Sequence, residues 1–136
     1  NAQKVVDYLT KNKNVERVIY PNIHTGEFGD RAKRYFKGGN GGLVGIEVKG
    51  GVEAGKKFIE ALKMFYHVAN IGDARSLAIH PATTTHSQLN QEELLAAGVT
   101  PGYVRLSIGI EHPDDIIADL DQALSASSKP SLKVVS

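Results

Sequence analysis

The 136-residue sequence contains no cysteine. Disulfides, thiolate metal sites and a cysteine nucleophile are therefore excluded. A large excess of one charge is also missing, because 16 Lys and Arg residues face 15 Asp and Glu residues and give a formal net charge of +1. This balance gives no electrostatic case for binding nucleic acid or a membrane surface. No apolar run approaches the roughly 20 residues that a transmembrane helix needs.

The length and composition are those of one globular domain. Hydrophobic residues make up 41% and charged residues 23% of the chain, which is ordinary for a protein with a packed core. The chain starts at Asn1, and residues 1–9 already have a helical pattern, so we expect a domain cut from a longer protein. We assign residues 1–126 to this domain and expect the polar residues 127–136 to form a flexible tail.

Hydrophobic periodicity predicts helices and strands in the order α-β-α-β-α-β-α-β-α. Alternating apolar residues predict strands over 15–20, 43–49, 76–79 and 103–108. Helical spacing and end signals predict helices over 1–9, 30–37, 52–65, from Asn90 and from Pro113. We therefore expect an α/β fold of the α+β sandwich type, with a small, mostly antiparallel sheet and helices on one face. The other face would be open to solvent or to another domain.

Several patterns resemble catalytic or binding motifs without meeting their requirements. Residues 49–57 have the glycine and lysine spacing of a phosphate-binding loop, but Lys57 stands where a Ser or Thr must hold Mg²⁺. The glycine cluster at 38–42 precedes a strand and so lacks the helix N-terminus that binds anions. The five histidines have neither the paired spacing nor the acidic neighbours of a metal site, so we expect no metal.

Arg105 is the most informative single residue. In the strand 103–108, the alternation turns Val104, Leu106 and Ile108 toward the core. Arg105 then faces the open side of the sheet, held by a rigid strand, where its guanidinium could bind a carboxylate through two parallel hydrogen bonds. The pattern alone also fits a solvated arginine or a surface ion pair.

Ordered motifs in the second half of the chain resemble a known family. The matching stretches contain the strings ANIGDARSL, HPATTTH, VRLSIGIE and DDIIADLDQAL, at residues 69–77, 80–86, 104–111 and 114–124. They are similar to the C-terminal end of the Cys/Met-metabolism enzymes that depend on pyridoxal phosphate. Residues 1–21 and 41–65 resemble the same family, and residues 22–37 match it less well.

Within the family, the chain most resembles the O-acetylhomoserine sulfhydrylases. Asn70 stands where the γ-lyases and cystathionine γ-synthases usually carry serine, and residues 50–58 also look like the sulfhydrylase branch. The resemblance implies a cytoplasmic enzyme that takes O-acetyl-L-homoserine, eliminates acetate, and adds sulfide or a thiol to give homocysteine or methionine. It also implies pyridoxal phosphate as the cofactor and a homotetramer as the assembly.

The resemblance implies substrate-binding residues in this chain and cofactor-binding residues elsewhere. Arg105 matches the arginine that binds the substrate α-carboxylate, while Asn70 and Thr85 match positions beside that carboxylate. The family's cofactor-linked lysine and its other cofactor contacts match nothing in this chain. We therefore expect no catalytic residue here, and no tight cofactor binding or turnover by residues 1–136 without the remainder of the protein.

Three other interpretations stay open at this point. The same domain could belong to a cystathionine γ-synthase, a γ-lyase or a methionine γ-lyase. The chain could instead be a free-standing regulatory module that binds amino acids, or a scaffold domain whose open sheet face docks another protein.

Overall fold

A mixed five-stranded sheet forms the centre of the molecule. The computed structural model describes residues 1–129, with only the backbone at residue 91. The strands are β1 (Val15–Ile19), β2 (Leu43–Val48), β3 (Tyr66–His67), β4 (Leu77–Ile79) and β5 (Tyr103–Ser107), in the spatial order β1-β2-β5-β4-β3. Three of the neighbouring pairs are antiparallel and the β3–β4 pair is parallel.

The expectation of a small, mostly antiparallel sheet is corrected to a five-stranded mixed sheet. The difference comes from β3, which pairs parallel with β4 through the registers Tyr66↔Leu77 and His67↔Ala78. The periodicity could not reveal β3, because two residues are too few to show an alternation. The α/β class itself is confirmed.

Within residues 1–129, five α-helices accompany the sheet. They are α1 (Ala2–Leu9), α2 (Gly26–Tyr35), α3 (Gly51–Ala61), α4 (Gln91–Ala96) and α5 (Pro113–Ser127). Short 3₁₀ turns occupy Pro21–Ile23 and Pro81–Thr83. The predicted capping box at the start of α4 is confirmed, since Asn90 accepts a hydrogen bond from the Glu93 amide and Glu93 accepts one from the Asn90 amide. Of the expected tail 127–136, Ser127 ends α5, and residues 130–136 lie outside the described residues.

The hydrophobic core lies between the sheet and the helices α1, α3 and α5. The predicted core residues Val104 and Leu106 are confirmed as buried, while Ile108, just after β5, is partly buried. Residues of β2 and β5 pack with the apolar faces of these helices. The fully buried members include Val5, Leu9, Val44, Ile46, Phe58, Val104, Leu106, Ile116, Leu120 and Leu124. Alternate residues of β2 and β5 therefore point away from these helices, toward the opposite face of the sheet.

Candidate functional site

Arg105 lies on the face of the sheet opposite the core, as its position in the strand predicts. Its two cross-strand partners are Gly45 on β2 and Ile79 on β4. The side chain is half-buried, whereas its neighbours Val104 and Leu106 are fully buried. A central strand of a sheet holds this arginine, so its guanidinium projects from a rigid base.

The Arg105 guanidinium contacts the backbone of Asn70. Its Nη2 donates a hydrogen bond to the Asn70 carbonyl oxygen at 3.0 Å. The Asn70 side chain does not make this contact, because its Oδ1 accepts from the Ile71 amide at 2.9 Å. The structure thus brings two of the predicted site residues together, through the main chain of one of them.

Arg105 has no carboxylate partner within residues 1–129. Arg17 is paired with Glu47 at 3.3 Å and Arg75 with Asp73 at 3.0 Å, whereas Arg34 also has no carboxylate partner within residues 1–129 but is exposed on α2. Since an arginine has five N–H donors, the single bond to Asn70 leaves most of the Arg105 donors available.

Tyr103 covers the sheet beside Arg105. An added Cβ at Gly45 would come within 2.9 Å of the Tyr103 ring, so the ring lies directly over this glycine. Burial raises the pKa of the Tyr103 phenol, and the charges of Arg105 and Arg17 partly oppose that rise. The phenol therefore stays protonated and adds no negative charge beside Arg105.

Thr85 lies on a pocket next to Arg105, and its hydroxyl makes no hydrogen bond with the guanidinium. The Thr85 hydroxyl hydrogen-bonds with His86 Nδ1 at 2.8 Å. The pocket, of about 350 Å³, is lined by His67, Val68, Ala69, Ile79, Thr84 and Thr85. Two of these residues adjoin the arginine contact, because Ile79 pairs with Arg105 across the sheet and Ala69 precedes Asn70. Thr85 is thus linked to the other two predicted residues by the pocket wall.

His80 fixes the turn that leads to Thr85, and the sequence did not single it out. Its ring is fully buried; Nε2 lies 2.8 Å from the Pro101 carbonyl oxygen and Nδ1 lies 3.0 Å from Thr83 Oγ1. The carbonyl acceptor requires Nε2 to donate, which leaves Nδ1 to accept from the threonine hydroxyl. The His80 carbonyl in turn accepts from Thr84 Oγ1 at 2.9 Å. This histidine is a neutral, hydrogen-bonded support for the pocket wall.

Glu111 anchors the loop that carries Asn70, and this role was also missed. Its carboxylate accepts hydrogen bonds from the Ser76 amide at 2.6 Å and from the Ser76 hydroxyl at 2.9 Å. Burial alone would raise the pKa of Glu111, but hydrogen bonds from Ser76 and from the backbone amide of Glu111 itself together outweigh that effect and lower the pKa. Glu111 is therefore ionised at neutral pH. An acidic residue just after a strand was the available signal, but its partner is 35 residues away in sequence.

Asp73 and Arg75 stiffen the same loop at the surface. Asp73 accepts hydrogen bonds from the Arg75 amide and guanidinium, and the Arg75 guanidinium lies 4.2 Å from the centre of the Tyr66 ring. The hydrogen bonds from Arg75 lower the pKa of Asp73 to about 2. Asp73 and Arg75 thus form a salt bridge with each other, whereas Arg105 has no carboxylate partner within residues 1–129.

The residues around Arg105 do not fit a pyridoxal phosphate site. None of the residues that line the adjacent pocket is a lysine. Residues 50–56, which have the glycine and lysine spacing of a phosphate-binding loop, have structural roles in the fold. Gly50 is the N-cap of α3 with φ 106°, and an added Cβ at Gly55 would come within 2.6 Å of His80 Nε2. Within residues 1–129 there is also no group of three or more His, Asp or Glu side chains that could hold a metal ion.

Arg105 on β5, which has no carboxylate partner within residues 1–129, and the adjacent pocket that Thr85 lines form the candidate site, and comparison with known proteins defines the family of the chain. Residues 1–125 match the family model described as Cys/Met metabolism PLP-dependent enzyme. The chain belongs to this family.

The relatives include several sulfhydrylases. The chain is 54% identical over 125 residues to the O-acetyl-L-homoserine sulfhydrylase of Leptospira meyeri, covering 91% of this chain and 28% of the relative. It is 46% identical over 124 residues to an L-methionine gamma-lyase of Fusobacterium nucleatum, covering 91% and 31%. The chain therefore spans about 30% of the length of these relatives.

A solved structure confirms the fold. A Campylobacter jejuni protein, assigned as an O-acetylhomoserine (thiol)-lyase and carrying N'-pyridoxyl-lysine-5'-monophosphate, superposes with a TM-score of 0.82 at 42% identity. The match covers 91% of this chain and 30% of that protein. Within residues 1–129 of the present chain, no helix is long and apolar enough to cross a membrane.

Proposed function

We propose that this chain is the substrate-carboxylate-binding part of a PLP-dependent O-acetyl-L-homoserine sulfhydrylase. The observation that carries the proposal is Arg105: it is half-buried on a central strand, held by the Asn70 carbonyl, and without a carboxylate within residues 1–129. An arginine in such a position provides a planar fork of donors for a carboxylate supplied by a ligand. The α-carboxylate of an amino acid is the matching group.

The remaining chemistry is assigned to the rest of the protein. In this proposal the residues that hold the cofactor lie outside residues 1–136, and the cofactor supplies the electron sink for loss of acetate from the substrate. Arg105 fixes one end of the substrate. The Asn70 carbonyl keeps the guanidinium in one orientation, and Thr85 contributes a hydroxyl at the adjacent pocket.

The sulfhydrylase branch is supported by the relatives and by Asn70. The Leptospira meyeri and Thermus thermophilus relatives, at 54% and 48% identity, are both named O-acetyl-L-homoserine sulfhydrylases. A methionine γ-lyase activity is the second candidate, because the Fusobacterium nucleatum γ-lyase is 46% identical over nearly the same residues. The two activities are distinguished by the reaction, since the first makes homocysteine from O-acetyl-L-homoserine and sulfide and the second degrades methionine.

The test is steady-state kinetics on the full-length protein that contains this chain. Arg105→Ala is expected to keep its bound cofactor but to lose at least about thirtyfold in kcat/KM for O-acetyl-L-homoserine with sulfide, because a dry carboxylate loses its partner. Arg105→Lys should lie between this variant and wild type, since a lysine restores the charge without the fork.

Arg17→Ala is the matched control. Arg17 stands on the outer strand β1 and is already paired with Glu47, so its loss should leave the kinetics within about twofold of wild type. Wild-type kinetics for an Arg105→Ala protein would sink the carboxylate role. A wild-type protein that degrades methionine and ignores O-acetyl-L-homoserine would favour the γ-lyase instead.

A further inference from the structure

The loop that carries Asn70 is anchored at its C-terminal end, outside the arginine contact. Residues 68–76 connect β3 to β4, and Asn70 lies near the start of this loop. Ser76 closes the loop, and it is fully buried, with both of its donors directed at the Glu111 carboxylate. From this geometry we infer that Glu111 is a positioning residue for the substrate-carboxylate site. The inference rests on the proposed function of Arg105.

Further hydrogen bonds join the segments that carry Ser76 and Glu111. Ser76 Oγ, while donating to Glu111, also accepts a hydrogen bond from the Gly109 amide at 2.9 Å. The Ile110 amide donates to the Ala74 carbonyl oxygen at 2.9 Å. Two stretches, 74–76 and 109–111, are therefore joined by four hydrogen bonds that include a charged acceptor, which is the stronger kind.

The two stretches approach each other so closely because residue 109 is glycine. An added Cβ there would come within 2.4 Å of Glu111 Oε2 and within 2.5 Å of the Ala74 carbonyl oxygen. A side chain would thus separate the loop from the segment that binds it. The glycine serves this close approach, since its φ does not lie in the left-handed region.

The contact between Glu111 and Ser76 connects the segment that follows Arg105 to the loop that carries Asn70. Residues 109–111 follow β5, the strand that bears Arg105, while the loop ending at Ser76 bears Asn70. Glu111 thereby fixes the Asn70 carbonyl relative to the Arg105 guanidinium, which are 3.0 Å apart. Without the anchor, the loop can move while Arg105 stays on its strand, and the guanidinium loses the acceptor that sets its orientation.

A double-mutant cycle in the full-length holoenzyme tests this role. Glu111→Gln keeps the shape of the side chain but replaces one acceptor oxygen with a donor, so one of the two Ser76 bonds is lost. We expect the KM for O-acetyl-L-homoserine to rise about tenfold with kcat within about twofold of wild type, because the loss of a charge-assisted bond loosens orientation. In an Arg105→Ala background the same change should have no further effect on KM.

Two further variants complete the experiment. Ser76→Ala removes the hydroxyl and keeps the amide bond, so it should give a smaller rise in KM that also disappears in the Arg105→Ala background. Glu60→Gln neutralises an exposed glutamate on α3 and serves as the charge-matched control, with wild-type KM.

The outcomes separate the two proposals. Equal effects of Glu111→Gln with and without Arg105 would show that Glu111 acts only on general stability and would overturn this inference alone. A loss of bound cofactor or a fall in kcat at unchanged KM would do the same. If Arg105→Ala itself leaves KM unchanged, the proposed carboxylate site falls and this inference falls with it.

Discussion

At the scale of single residues, His80 shows how much of the site depends on side chains that never meet a ligand. Its ring is fully buried between Pro101, Thr83 and Gly55. Burial lowers the pKa of His80 below its ordinary value of 6.5, the nearby His67 acts in the same direction, and the hydrogen bond to the Pro101 carbonyl partly opposes them. The folded protein therefore favours the neutral ring.

This shift makes stability depend on pH in a defined direction. A group with a lowered folded pKa contributes its full stabilisation above its unfolded value, here 6.5, and loses it as the pH falls through the folded value. We expect the 136-residue chain to unfold at lower urea concentration at pH 5 than at pH 7.5. His80→Gln, which can donate and accept but does not titrate, should show a smaller difference between the two pH values. An unchanged difference would assign the pH dependence to other groups.

Some of these features of single residues could be predicted from the sequence. The face on which Arg105 lies follows from alternation, because its neighbours on the strand are apolar. The contact of Arg105 with the Asn70 backbone, the burial of His80 and the anchoring by Glu111 depend on residues 21 to 35 positions apart. No local pattern encodes such pairs, so they could not be predicted from one sequence.

At the scale of elements, Asp119 decides where α3 ends. The periodicity predicts a helix to residue 65, but the helix ends at Ala61 and Leu62 is extended. The Asp119 carboxylate, on α5, accepts hydrogen bonds from the Lys63 amide at 3.0 Å and the Met64 amide at 2.8 Å. A buried carboxylate from another helix thus supplies the acceptors that a further helical turn would have supplied.

Removal of this carboxylate should destabilise the α3–α5 pair. Asp119→Ala leaves the part-buried amides of Lys63 and Met64 and the buried amide of Phe65 without this acceptor, so we expect the free energy of unfolding to fall by about 2–4 kcal/mol. Asp119→Asn, which keeps one acceptor oxygen, should cost about half as much. Urea denaturation of the 136-residue chain measures both.

The control for this pair lies on the same helix. Asp115→Asn changes an exposed carboxylate in the first turn of α5 and should cost less than about 1 kcal/mol, the usual size of a helix-dipole interaction. Equal losses for Asp115→Asn and Asp119→Asn would show that charge on α5, rather than the contact with residues 63–65, stabilises the fold.

The elements differ in how well the sequence predicts them. Long segments with a buried face, such as β2, β5 and α5, were predicted at or near their observed bounds. The helix expected over 30–37 begins earlier, at Gly26. Few of its residues are buried, so the apolar spacing that marks a helix is weak there. Prediction therefore succeeded for the elements whose packing against the core requires apolar residues at regular spacing in the sequence.

At the scale of the whole molecule, the proposal assigns carboxylate binding to this chain and cofactor binding to the rest of the protein. The chain spans about 30% of its relatives, and no lysine lines the pocket beside Arg105. We therefore expect purified residues 1–136, mixed with pyridoxal phosphate, to show no visible absorbance band of a lysine-bound cofactor after gel filtration. The full-length protein treated in the same way is the positive control. A stable band on the 136-residue chain would contradict the assignment of the cofactor site to the rest of the protein.

The contact between Gly55 and His80 also has an evolutionary consequence. The α3 backbone at residue 55 packs directly against the His80 imidazole, because a methyl group added at residue 55 would lie 2.6 Å from the ring. A mutation to a larger residue at 55 can persist only with a smaller residue at 80, so the two positions are expected to covary among homologues. The string GGVEAGKK has the glycine and lysine spacing of a nucleotide-binding loop without its Ser or Thr, and in this chain Gly55 is explained by packing against His80.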